Sequence, residues 1–167
     1  MMTHSYIFLL HLIAFGFSSA TLIALFILHR KLCAEQNWEK KLYIGGIMRL
    51  FVVFGPYVIA LLLLTGFGNM ANRYGLGAPW PQETWLTVKI ILFVIMTFNA
   101  LYIGPRINLK RAMLIKSVVE NNGPENAEAL LTKRNKTISI FLYVQAALLL
   151  GIVVLSAFGS AKHPGIF

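Results

Sequence analysis

The stretch LFVVFGPYVIALLLLTGF, residues 50–67, carries no charge and no acidic side chain. About 20 apolar helical residues cross the hydrocarbon core of a bilayer, and this run approaches that length between Arg49 and Arg73. Three more segments share its character: Tyr6 to Leu28, Trp85 to Ile103 with the single charge Lys89, and Thr137 to Phe158. Hydrocarbon offers no hydrogen bonds to an exposed backbone, so each segment must be a helix. The expected fold is therefore all-α, a four-helix transmembrane bundle within one domain of 167 residues.

Composition agrees. Hydrophobic residues make up 57% of the chain and charged residues 13%, about half the share of an ordinary soluble domain. That excludes a disordered chain, a nucleic-acid module and a typical soluble enzyme. The net charge of +9 resides in short stretches between the apolar runs. All six acidic residues are glutamates. The single cysteine, Cys33, implies no intramolecular disulfide. The first Lys or Arg is Arg30, after the first apolar run, which is the wrong order for a cleaved signal peptide.

Lys and Arg concentrate in cytoplasmic loops. Arg30, Lys31, Lys40, Lys41 and Arg49 surround the first connection, and Arg106, Lys110, Arg111, Lys116, Lys133, Arg134 and Lys136 the third. The second connection has only Arg73 and the C-terminal tail only Lys162. This predicts a multi-pass protein of a bacterial-type plasma membrane with both termini outside. Gly75, Gly77, Pro79 and Pro81 mark the outer connection, with Trp80 and Trp85 suited to the membrane–water boundary.

The third connection is more than a linker. Ile107, Ala112, Met113, Ile115 and Val119 alternate with bases as on an amphipathic helix. Asn121-Asn122-Gly123-Pro124 then breaks the chain, Gly stopping one helix and Pro opening the next. Spans three and four are thus expected to extend as a helical hairpin on the cytoplasmic side. It suits either a clamp on anionic headgroups or a surface for a partner protein.

Few residues can carry chemistry. His11 lies about five residues inside the outer boundary, roughly 8 Å at helical rise. Lys89, four residues after Trp85, enters from the same side to similar depth. An imidazole there suits an axial haem ligand, a metal ligand or a proton carrier, and an ammonium beside it suits a carboxylate such as a porphyrin propionate. The structural alternatives are a snorkelling Lys89 and a His11 that bonds a neighbouring helix. His29, beside Arg30, reads as part of the interfacial basic cluster. Spans two to four contain no histidine, which excludes two stacked bis-histidine haems. Zinc lacks a His-x-x-x-His pair or a cysteine pair, and the scattered methionines give copper no cluster. A path for a metal ion through His4, His11 and His163 is the weakest reading. Pro56 is expected to bend span two, Asn99 and Gln145 to bond across helices, and Gly16/Ala20 and Ala147/Gly151 to let backbones approach.

Leu10-His11-Leu12-Ile13-Ala14, Glu39-Lys40-Lys41-Leu42, Ile47-Met48-Arg49-Leu50, Leu64-Thr65-Gly66, Thr84-Trp85-Leu86-Thr87-Val88-Lys89 and Arg134-Asn135 together resemble the small membrane proteins that include HemJ-type protoporphyrinogen IX oxidases and the CopD-like family. The resemblance runs through most of the chain and implies a haem-b-associated oxidation of protoporphyrinogen, with His11 and Lys89 at the key first-helix and third-helix positions. Arg49 would serve the inner face. Where that group has Asn-Glu before its last helix, this chain has Asn135-Lys136. Beside this stands a second reading: a non-catalytic accessory or assembly subunit that packs, alone or as a homo-oligomer, on a larger membrane complex.

Overall fold

The structure is a computed structural model that describes residues 2–75 and 83–161. His163, Lys162, Trp80, Gly77, Pro79 and Pro81 lie outside the described residues. Among the described residues five α-helices follow one another: α1 Met2–Ala34, α2 Trp38–Tyr74, α3 Thr84–Phe98, α4 Gly104–Val119 and α5 Ala127–Ala161, with a π-helical segment, Asn99–Ile103, joining α3 to α4. Among the described residues there is no strand. Four helical rods, the third made of α3, the π segment and α4, are long and apolar enough to cross a membrane. The protein is a four-helix membrane bundle, as the apolar runs predict.

The helices outlast those runs. α2 has 37 residues, about 55 Å at helical rise, against a hydrocarbon core of about 30 Å. Residues 50–67 are only its apolar middle. Arg30, Lys31, Lys40, Lys41 and Arg49 are helical as well, and only residues 35–37 separate α1 from α2. That turn is tightly closed. The Glu35 carboxylate accepts from the Gln36 and Asn37 amides at 2.9 and 3.0 Å, and the Asn37 side chain caps α2 by accepting from the Lys40 amide.

Span three continues without a break into the basic segment. Pro105 has no N–H to donate and its ring crowds the preceding turn. The helix widens just before it, the Gly104 amide bonding back five residues to the Asn99 carbonyl. A π turn absorbs the misfit where a kink would otherwise form. Arg106 lies over the Tyr102 ring at 3.5 Å.

The hairpin between α4 and α5 exists, but its stop residue is not the one the sequence suggests. Asn121, at φ 58°, takes the left-handed conformation. Gly123 is needed for space: a Cβ there would lie 2.9 Å from the Val118 Cα. The hairpin folds back on the turn between α1 and α2. Leu32, Ile44, Met48, Ile115 and Leu131 form one buried cluster there. These residues lie beyond the apolar middles, so water can drive their burial. Within the bilayer, helix association depends instead on close packing and interhelical hydrogen bonds.

There α1 packs along α2, α3 along α5, and α5 against α1. Gln145, buried in α5, donates to the Met96 carbonyl across 3.2 Å. Gly151 takes the Leu92 side chain, and Gly104 and Gly159 admit the rings of Phe141 and Trp85. Gly16 departs from the expectation of close packing, since no atom lies within 4 Å of its Cβ position.

Candidate functional site

Ile7 and His11 lie about one turn apart on one face of α1, and this face turns toward α2. Gly66 and Gly68 on α2 leave room for it: their Cβ positions would lie 3.6 Å from the His11 ring and 3.0 Å from the Ile7 side chain. His11 Nδ1 is 2.8 Å from Thr65 Oγ1. The hydroxyl of Thr65 is already committed, donating to the Leu61 carbonyl at 2.7 Å. It has only lone pairs left for the imidazole. Nδ1 therefore carries the hydrogen and donates, which leaves Nε2 with a lone pair and no partner among the described residues.

Lys89 is half-buried on α3. Among the described residues no carboxylate or other hydrogen-bond partner meets its ammonium, and its charge acts on the His11 ring. His11 on α1 and Lys89 on α3 lie toward the same end of the bundle. Arg49 does not join them. It is exposed on α2, 16 residues from Thr65, about 24 Å at helical rise.

Comparison with protein-family models, curated proteins and solved structures finds no match for the chain. The site is read from its chemistry alone.

A donor hydrogen bond from Nδ1 is the arrangement that fixes a ligating imidazole and presents Nε2 to a metal. An unpaired cation beside it suits a propionate. The residues present thus fit a haem or porphyrin in ligand type and charge. Space is a different matter. The cavity inside the bundle measures ≈ 120 Å³ and is lined by residues such as Thr21, Phe51, Pro56, Met96, Phe141 and Gln145, with neither His11 nor Lys89 among them. Pockets that enclose small molecules run from about 300 Å³ upward. That cavity does not hold a porphyrin. Nor do three His, Cys, Asp or Glu side chains converge on a metal position among the described residues.

One cluster escapes the sequence. His29 is not part of an exposed basic patch; it is 4% exposed. Its Nε2 lies 2.9 Å from Ser139 Oγ on α5, and Arg111 Nη1 lies 3.1 Å from its Nδ1. Arg111, 3% exposed, also donates to Met48 Sδ and Asn108 Oδ1, both at 3.1 Å. Among the described residues its hydrogen-bond partners are all uncharged. The spacing of His29, four residues before Cys33 on one helix face, is the only trace of this cluster in the sequence.

Proposed function

We propose that the protein is a membrane redox protein that binds haem b or a related porphyrin, HemJ-like in kind, with His11 offering Nε2 as axial ligand or proton acceptor. The observation that carries this reading is the bond from His11 Nδ1 to an acceptor-only Thr65 hydroxyl, at the same end of the bundle as an ammonium with no counter-ion among the described residues. Lys89 would hold an anionic substituent of the ring, and a bound haem would supply one-electron chemistry. The concentration of Lys and Arg toward the other end of the bundle supports an orientation with that end cytoplasmic and both termini outside, in a bacterial-type plasma membrane. Arg49 would then face the inner surface, remote from the ring.

Among the described residues the cavity inside the bundle does not reach His11, which favours a second element. A porphyrin on the flank of the bundle needs its other face covered, by lipid, by a second copy or by another subunit. This joins the redox reading to that of an accessory subunit on a larger complex.

Optical titration of the detergent-purified protein with haemin tests the proposal. A shifted Soret band is expected for the wild type, its loss in His11→Ala and weaker binding in Lys89→Gln. An unshifted spectrum, or an identical titration of His11→Ala, would overturn it.

A further inference from the structure

The rods of the bundle do not close evenly on one another. α2 packs along α1, α1 against α5 and α5 along α3, while α4 packs on both α2 and α5. Among the described residues α2 and α3 make no comparable contact. A seam therefore runs between these two helices. Leu63 on α2 and Val94, Phe98, Leu101 and Tyr102 on the third rod line a groove of ≈ 450 Å³ along it, and all are exposed. Exposed side chains of a spanning segment face lipid hydrocarbon.

Behind the seam lies the cavity of ≈ 120 Å³. Leu101 lines both the groove and the cavity, so the two meet at this residue. Gly55 on α2 and Ala100 on the π segment line the cavity as well. Small residues let helices approach closely, yet no atom lies within 4 Å of the Gly55 Cβ position. Here they leave room instead. Asn108 and Gln145 reach the cavity, but their amides are spent on the Gly104 and Met96 carbonyls. Ser18 and Thr21 add two hydroxyls to walls that are otherwise mostly hydrocarbon.

Size and chemistry limit the occupant. An apolar protein cavity of about 150 Å³ stays dry and binds benzene or xenon. On that scale this one holds about five carbon atoms, the end of a chain and not a whole lipid. Neither His11 nor Lys89 lines it, so it is independent of the proposed porphyrin site.

We propose that the central cavity takes the end of a lipid hydrocarbon chain, which enters from the bilayer through the seam between α2 and α3 past Leu101. The rest of the chain lies in the groove. The bilayer presents such chains at the seam in great excess, so even weak affinity keeps the site filled.

Two methionines report on the inside. Met48 and Met96 line the cavity and are buried, out of reach of the surrounding lipid, whereas Met113 on α4 is exposed and remote from it. The full-length protein, labelled with carbon-13 at its methionine methyls, is placed in nanodiscs whose lipids are deuterated except at the chain-terminal methyls. Nuclear Overhauser cross-peaks from those methyls are expected at Met48 and Met96 and not at Met113. Xenon, as a free apolar probe, should shift the same two methionine resonances. Ala100→Leu fills the cavity and should abolish both responses. A xenon response without cross-peaks would assign the cavity to small free apolar molecules and overturn the lipid chain as occupant. Silence of both methionines toward lipid and xenon in the wild type overturns the proposal whether or not the variant folds. So do cross-peaks that persist in a folded Ala100→Leu.

Discussion

Arg111 Nη1 donates to His29 Nδ1 across 3.1 Å, joining α4 to α1 over 82 residues of chain. The two sides of this bond are not equivalent. Replacing the guanidinium by a hydrophobic side chain of similar length removes a buried charge and leaves one unpaired imidazole nitrogen, a cost of about 1–3 kcal/mol that is offset by the charge removed. Removing the imidazole leaves the charge buried with fewer partners, at about 3–5 kcal/mol. His29→Leu is therefore expected to lower the unfolding midpoint in detergent well below that of Arg111→Met. Equal midpoints would show that the Arg111 charge is not confined.

Thr65→Val keeps the shape of the α1–α2 contact and deletes the acceptor for His11 Nδ1. Interhelical hydrogen bonds of this kind contribute about 1 kcal/mol or less within a bilayer, so the bundle should stay folded. Haem affinity should fall, because the imidazole no longer has one fixed tautomer. The haemin titration separates the two effects: unchanged affinity in a normally folded Thr65→Val would remove Thr65 from the site.

Two glycine substitutions should act in opposite directions. At Gly123 an added methyl would meet Val118 backbone at 2.9 Å, and the forced shift in the turn should cost about 1–3 kcal/mol. Gly16 has open space around its Cβ position, so alanine gains up to about 1 kcal/mol of helix propensity. Thermal unfolding of Gly16→Ala and Gly123→Ala should bracket the wild type.

The turn between α1 and α2 should loosen in acid. The Asn37 amide, and then that of Gln36, hold the Glu35 carboxyl below the usual carboxylate range. A group with a depressed folded-state pKa stabilises the fold above its unfolded pKa, and that contribution disappears as pH falls through the folded value. Exchange of the Gln36 and Asn37 amide hydrogens, corrected for the intrinsic pH effect, should accelerate only below the ordinary glutamate pKa of about 4.3. Glu35→Ala should show the faster exchange at every pH.

The hydrophobic cluster at the hairpin end gives a last expectation. Ile115, 1% exposed, packs with Leu32 and Leu131 beyond the apolar middles of the helices. Ile115→Ala should cost about 2–5 kcal/mol, and limited proteolysis should then cut first between α4 and α5. Cleavage first within residues 35–37 would place the weak point at the other turn.

His11, Lys89 and Arg49 illustrate how far residue type and depth carry a reading. Ionisable side chains in or beside the apolar runs mark all three, and depth from the boundary puts the first two toward the same end of the bundle. Neither depth nor spacing reveals Thr65, because a threonine in a span commonly bonds its own helix, and here it does that and accepts from His11 as well. His29 and Arg111 were hidden for a related reason. A histidine beside an arginine at a helix end looks solvated until another helix covers it.

Four spanning helices, their order and the amphipathic extension follow from the sequence alone, because apolar length and the hydrogen-bonding demand of the backbone act residue by residue within each segment. Which polar groups meet was decided only by the tertiary structure. The pairing of His11 with Thr65, the burial of Arg111 among partners that are uncharged in the described residues, and the small central cavity depend on how helices distant in sequence rotate and approach, and that is set by packing between whole faces.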